Sequence, residues 1–317
     1  MKGTLFYKWS TLRRLFKYSS WIIRLFELPR IRKYAKNQDE ASPVFIIGLP
    51  RSGSTFLYQL ITNYFDVLYF DNLVNIGREN LYFSVWLSNL IYRDKPHNSF
   101  SSNFGNTTES GLHAPSEAGM LWYRWFPGGD AELENYSLSE KSKNELKDSV
   151  LSVIGRHQKP LVIKNLNMVL RMKVIKDLFP GARFIYIRRD PVYIAQSIYQ
   201  ARKANAVDHT REWWSVPIPG YQSLLELPEE MQIARQVTDL QQLIEKELAE
   251  LSAEKIMEVK YEDIDEDLVN KLKHFLGVEF RSETSISDIT FRNTNKINID
   301  IEVFNSLQEE LNRNVTN

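Results

Sequence analysis

"PVFIIGLPRSGSTFLYQL", residues 43–60, carries an apolar run into a turn made of Gly48, Pro50, Arg51 and Gly53, and then into a second apolar run opened by Ser54 and Thr55. Residues 44–47 are β-branched and aromatic, as a short buried strand over 44–48 requires, and residues 54–65 repeat apolar side chains at helical spacing. A glycine-bearing turn between such a strand and helix lets successive backbone N–H groups converge on one point. That point lies at a helix N-terminus, where unpaired donors and the macrodipole favour an anion. The stretch therefore predicts a phosphate cradle over residues 50–56, the alternative being an ordinary strand-to-helix turn with a chance glycine pair. A nucleoside-triphosphatase loop would read G-x-x-x-x-G-K-[ST]. Gly48 and Gly53 keep that spacing, but Ser54 stands where the lysine belongs and the cation is Arg51, inside the loop. A P-loop kinase-like phosphotransferase using ATP and Mg²⁺ is weakened by this, because that lysine reaches the transferred phosphate. It is kept as the alternative.

The pattern continues outward from the turn. "VLYF" (67–70), "PLVIK" (160–164), "RFIYIR" (183–188) and "KIMEVK" (255–260) read as further strands. Helical periods lie between them: over 166–179 up to Pro180 and Gly181, from Asp190-Pro191 onward, over about 228–253, and up to "HFLG" at 274–277. Strand, crossover helix and strand in this order predict an α/β fold, a P-loop NTPase-like three-layer sandwich with a central parallel β-sheet flanked by helices. Two stretches refuse the pattern: 98–119, rich in Ser, Asn, Thr and Gly, and 212–221, rich in Trp and Pro. Long loops on such a sheet usually carry specificity.

The 317 residues contain 40 Lys or Arg and 40 Asp or Glu, so nucleic acid is not the partner expected of the whole surface. The absence of cysteine removes disulfides, thiolate metal sites and cysteine nucleophiles, and suits a reducing compartment, with cytoplasm the default. No apolar run approaches the length of a membrane span, and Lys and Arg interrupt every apolar run near the N-terminus, which argues against a signal peptide. Charge is uneven, however. Residues 1–36 hold ten Lys or Arg against one acid, Glu27. Within them Leu5, Trp9, Leu12, Phe16, Ile23 and Phe26 recur at helical spacing with Arg13, Lys17 and Arg24 between. This basic amphipathic helix either packs on its own domain or lies peripherally on the inner, anionic membrane surface; an organelle-targeting peptide is a third reading. The chain is accordingly divided into an N-terminal segment, 1–40, and a principal domain, 41–317.

A second constellation is "RFIYIRRDPVYIAQSIYQAR", 183–202. Asp190 is a good helix N-cap and Pro191 a good first helical residue, so Arg189 leaves a strand end while Ser197 lies two turns into the helix. A second phosphate fits between them; otherwise they are a surface charge and a helix-face filler.

Together the two stretches resemble the sulfotransferases that use 3'-phosphoadenosine 5'-phosphosulfate (PAPS), most of all the bacterial ones, with some kinship to the Golgi carbohydrate and tyrosylprotein enzymes. "PRSGST" (50–55) matches the family's 5'-phosphosulfate loop, and Arg189 and Ser197, eight residues apart, match its 3'-phosphate pair. "VKYEDI" (259–264) is similar to the segment that places a tyrosine, Tyr261 here, near the adenosine, and "FLG" (275–277) to the close of the next helix. The resemblance spans about 43–277. It implies a PAPS-dependent sulfotransferase that moves a sulfuryl group to an acceptor hydroxyl, leaves adenosine 3',5'-bisphosphate and needs no metal. The cofactor would be held by Arg51, Ser52, Gly53, Ser54, Thr55, Phe56, Arg189, Ser197 and Tyr261. Arg51 and Lys164, the latter at a strand end, would stabilise the sulfuryl group, though Lys164 could merely cap its strand.

For the general base, "GLHAPSEAGMLWYRWF" (111–126) resembles a P-x-E segment of the bacterial enzymes, which makes Glu117 the first candidate and His113 the second, with Asp71 and Glu109 behind. Glu117 could instead be an acid facing a helix dipole, and His113 a loop residue without duty. Trp122, Trp125, Trp213 and Trp214 either wall an acceptor pocket or belong to the core. The acceptor itself, a carbohydrate, a lipid or a small metabolite, and the oligomeric state are not specified by these residues. A non-catalytic membrane-binding protein on the same scaffold is a third class of reading.

Overall fold

The computed structural model describes residues 2–36, 42–126, 138–281, 284 and 294–316, with side chains omitted for 2–8 and 315–316. Five strands, β1 (Val44–Gly48), β2 (Leu68–Tyr69), β3 (Leu161–Lys164), β4 (Arg183–Arg188) and β5 (Ile256–Lys260), form one sheet in the order β2-β3-β1-β4-β5. Every pairing is parallel: Phe45 lies opposite Ile163 on one side of β1 and Phe184 on the other.

Because strand side chains alternate, β1 feeds two cores. Phe45 and Ile47 join Ile163, Phe184 and Tyr186 on one face. That face is covered by α4 (Leu81–Tyr92), α6 (Glu140–His157), α7 (Met172–Leu178), α8 (Pro191–Ala204), α9 (Glu229–Leu248) and α11 (Ile301–Thr316). Val44 and Ile46 join Val162, Ile185 and Val259 on the other, beneath α2 (Ser54–Tyr64) and α10 (Glu266–Leu276). The result is the helix-sheet-helix sandwich read from the sequence. Crossovers leave β1 toward β2 on one side and reach β4 on the other, so the carboxyl end of β1 is a switch point, where α/β sheets open a crevice.

Local chemistry sets the boundaries that matter. Asp190 accepts a hydrogen bond from the Val192 N–H (3.1 Å) and Pro191 opens α8, fixing Arg189 at the strand exit. Asp265 caps α10 through the Leu268 N–H, and Gly277 closes it in the left-handed region at φ 68°. The helical period over 166–179 resolves into a 3-10 turn (Leu166–Arg171) followed by α7, because the Asn165 side chain accepts from the Asn167 N–H (3.0 Å) and tightens the start.

The N-terminal segment is one helix, α1 (Lys2–Tyr34), packed on α3 (Asn72–Ile76), α4 and α6. The face expected from its periodicity is the inward one: Trp9, Leu12 and Phe16 cluster with Leu73 and Ile76. Phe26 departs from that stripe and is 62% exposed. The side chain of Leu5, and the division placed at residue 40, lie outside the described residues.

Candidate active site

At the carboxyl ends of β1, β3, β4 and β5 a cleft of about 540 Å³ is lined by Arg51, Gly53, Ser54, Thr55 and Phe56 from the first loop, and by Glu117, Lys164, Arg189 and Tyr261. Four strand termini thus deliver residues that are far apart in sequence.

The loop is shaped by close approach. A Cβ on Gly48 would stand 2.7 Å from the Ile187 carbonyl oxygen, and one on Gly53 would stand 2.4 Å from the Tyr261 ring. Gly53 also takes φ 93°, which a side chain rarely allows. It precedes α2 with no side-chain cap, so the first N–H groups of that helix keep their donor capacity. Ser52 is fully buried, and its Oγ has no hydrogen-bond partner among the described residues. A glycine-shaped turn at an uncapped helix N-terminus suits an anionic phosphosulfate in chemistry; Ser52 itself is sealed beneath the loop and is absent from the cleft lining.

Two arginines flank the loop. Arg51 takes φ 68° and its guanidinium lies 5.2 Å from the Phe104 ring centre, while Nε donates to Ser197 Oγ (2.9 Å). Arg189 Nη1 donates to the Arg51 carbonyl (2.9 Å), Nε donates to Asn295 Oδ1 (2.8 Å), and the guanidinium sits 4.6 Å from the Tyr261 ring centre. Burial lowers the pKa of both, and Arg51 is lowered further by the charge of Arg189. Among the described residues no carboxylate forms an ion pair with either. Glu262 and Asp190 offset the charge of Arg189 in part, whereas no acid among the described residues offsets Arg51, so the pair suits a bound anion. The expected pairing is altered in one respect: Ser197 meets Arg51 rather than Arg189, and it is absent from the cleft lining.

On the β3 side Lys164, 2% exposed, donates to Thr55 Oγ1 (3.2 Å) and forms an ion pair with Glu117 Oε1. The Leu166 N–H reaches Glu117 Oε2 (3.4 Å), and Asn165 Nδ2 donates to the Glu117 carbonyl (3.1 Å). Carboxylate, ammonium and loop hydroxyl therefore meet at the mouth of the cradle. Glu117 is not held on a long helix dipole, because only the four-residue α5 (Gly119–Trp122) follows, after Ala118 in the left-handed region at φ 45°.

The other acid-base candidates lie elsewhere. His113 stacks on Tyr92 (ring centres 4.0 Å apart) beside Tyr69 and His97, outside the cleft lining. Burial, with the charge of Arg281, lowers its pKa to about 4. The aromatic stack turns the ring toward α4, away from the loop, so its proposed catalytic part is withdrawn. Asp71 caps α3 by accepting from the Val74 N–H (2.8 Å) and also accepts from Ser88 Oγ; burial raises its pKa to about 7. Glu109 is exposed in a 3-10 turn (Thr108–Ser110) outside the cleft lining.

Trp122 and Trp125 are core residues. Trp214 lines the cleft with Phe104 and Tyr123, and Trp213 packs against Tyr221. Phe104, Tyr123, Asn165, Thr294 and Asn295 were not singled out from the sequence. Phe104 lies in the irregular loop over 98–119 and Tyr123 in the segment 111–126, which mark regions and no residue; Asn165, Thr294 and Asn295 carried no such signal.

A P-loop-type α/β scaffold with an anion cradle, paired arginines and a Lys–Glu pair at its switch point defines an anion-handling transferase architecture. Residues 43–282 match the model of the Sulfotransferase family, and the chain belongs to that family. The omega-hydroxy-beta-dihydromenaquinone-9 sulfotransferase Stf3 of Mycobacterium bovis and that of Mycobacterium tuberculosis are each 25% identical over 200 residues, which is 55% of this chain and 48% of theirs. The match therefore spans about half the length of these curated relatives. Among solved structures, sulfotransferase STF9 from Mycobacterium avium is similar with a TM-score of 0.47 and 11% identity, over 90% of this chain and 72% of that one. The sulfotransferase domain from the curacin biosynthetic pathway gives 0.45 and 16%, over 87% and 96%.

Proposed function

We propose that the protein is a PAPS-dependent sulfotransferase whose domain 41–317 moves a sulfuryl group to an acceptor hydroxyl. One observation carries this reading: Arg51, Gly53, Ser54 and Thr55 of the loop, Arg189 and the Lys164–Glu117 pair all line one cleft. The loop N–H groups, Ser54, Thr55 and Phe56 would hold the 5'-phosphosulfate. Arg189 and Tyr261 would hold the 3'-phosphoadenosine end, with Ser197 positioning Arg51. Bound PAPS supplies the activated sulfuryl group.

This chain's own residues then have defined tasks. Glu117 takes the acceptor's hydroxyl proton as the acceptor oxygen bonds to sulfur and the bond from sulfur to the phosphate oxygen breaks. Lys164, Arg51 and the loop donors meet the negative charge that develops on the sulfuryl oxygens and on the departing phosphate oxygen. Because Lys164 also binds Thr55, it joins the base to the cradle. Sulfuryl transfer needs no metal on this account.

The acceptor is a small molecule, a carbohydrate or a lipid. Phe104, Tyr123 and Trp214 offer it an aromatic wall, and the Stf3 relatives are named for a hydroxylated menaquinone, a lipid alcohol. The cysteine-free sequence suits the cytoplasm, with the acceptor arriving from solution or from a membrane surface. Incubating the protein with PAPS and a panel of such alcohols tests the reading. Acceptor-dependent release of adenosine 3',5'-bisphosphate, abolished by Glu117→Gln, is expected; no release with any acceptor class, or release indifferent to that substitution, would count against it.

A further inference from the structure

We propose that the outward face of α1 seats the protein on a bilayer surface bearing anionic headgroups. The proposal is independent of the sulfotransferase reading. Leu15 (63% exposed), Tyr18 (75%), Trp21 (67%), Ile22 (42%), Leu25 (64%) and Phe26 (62%) all stand in solvent. At about 100° per residue they fall within one arc of roughly 140°. The packed residues Trp9, Leu12 and Phe16 lie on the opposite side of the helix. α1 is thus apolar on two opposed faces, and its own fold uses one. Six contiguous large apolar side chains exceed the scattered exposure normal for a protein surface.

Charge identifies the occupant. Arg14, Lys17, Arg32 and Lys33 are exposed along the same helix. The one acid of the segment, Glu27, is 2% exposed and turned inward, where it accepts from Asn80 Nδ2 (3.0 Å) and the Phe83 N–H (3.3 Å). Solvent therefore meets an apolar stripe with cations and no carboxylate from the helix, the composition of an interfacial helix on anionic lipid. A second copy fits worse, since a two-fold interface on this face would set the same cations against each other. Phe26 also borders a groove of about 380 Å³ between α1, α4 and α6, where Ile23, Tyr82, Phe83 and Trp86 continue the apolar surface beside the cations Arg30 and Arg156. Among the described residues no helix is long and apolar enough to cross a membrane, so the contact proposed is peripheral.

The test is co-sedimentation of the full chain with vesicles of phosphatidylcholine alone and of phosphatidylcholine with roughly one third phosphatidylglycerol. The protein should bind the anionic vesicles. Binding should fall at least about tenfold on pure phosphatidylcholine, in Arg14→Glu/Lys17→Glu and in Trp21→Glu/Leu25→Glu. These positions are exposed, and circular dichroism with thermal melts would confirm that the variants are folded. Absence of binding by the full chain, or binding indifferent to both pairs, would overturn the proposal. So would a dimer that Trp21→Glu dissociates in a protein that ignores vesicles, which would assign the face to a second copy.

Discussion

The cradle at the strand ends and the outer face of α1 both present positive character to an anion, but they are built differently. The cradle rests on backbone geometry: Gly53 at φ 93° beneath the packed Tyr261 ring and an uncapped helix start, both fixed by the fold before any ligand arrives. The face of α1 uses exposed side chains on a regular helix, with nothing fixed except which side is outward. The first arrangement tolerates little change and gives specificity; the second tolerates much and gives adhesion. Substitutions should separate them.

The largest effect is expected at the mouth of the cradle. Glu117→Gln should lower turnover by about 10²–10⁴-fold while leaving the affinity for adenosine 3',5'-bisphosphate intact, read by steady-state kinetics beside calorimetry. Gly53→Val puts a side chain into the Tyr261 ring at a left-handed position; strain of roughly 1–3 kcal/mol, visible in thermal melts, should accompany loss of bisphosphate binding. Asp71→Asn probes a buried group outside the cleft. Burial holds the Asp71 carboxyl at about 7 against an ordinary 3.8, so between those values the folded state keeps a proton that the unfolded chain has lost. Wild-type stability therefore carries a contribution that is fully present below about pH 4 and is lost as pH rises through about 7. The variant should show a flatter denaturation profile across that window. A profile unchanged by the substitution would mean that Asp71 is ionised throughout. Least of all should Leu25→Ser matter to the fold: stability should stay within about 0.5 kcal/mol of wild type while vesicle binding declines. A large loss of stability there would show that the face is packed after all.

The same contrast explains what could be read from the sequence. The cradle was legible because its determinants are contiguous, and a strand, a glycine turn and a helix start leave a signature within residues 44–65. Arg189 was legible because Asp190 and Pro191 mark a helix start that can be placed to the residue. The Lys164–Glu117 pair was half legible: each residue was named, but their union spans two elements whose approach only packing decides. His113 misled for the same reason. Its position four residues before Glu117 says nothing of direction, and the ring stacks on Tyr92 of α4 instead. On α1 the periodicity marks the inward stripe of Trp9, Leu12 and Phe16 but places Phe26 with it; a helix with two apolar faces hides the second until burial sorts them. Helix α6 lies outside the elements expected from the sequence, although Ser139 caps it and Leu146, Val150, Val153 and Ile154 repeat at helical spacing.

The most direct measurement is calorimetric titration of the protein with adenosine 3',5'-bisphosphate, beside ATP with magnesium, in wild type and Arg189→Ala. The account predicts preference for the bisphosphate, weakened by roughly 1.5–3 kcal/mol when the charged hydrogen-bonding partner is removed. Preference for ATP with magnesium, or bisphosphate binding indifferent to Arg189, would contradict the assignment of this cleft to a sulfuryl donor.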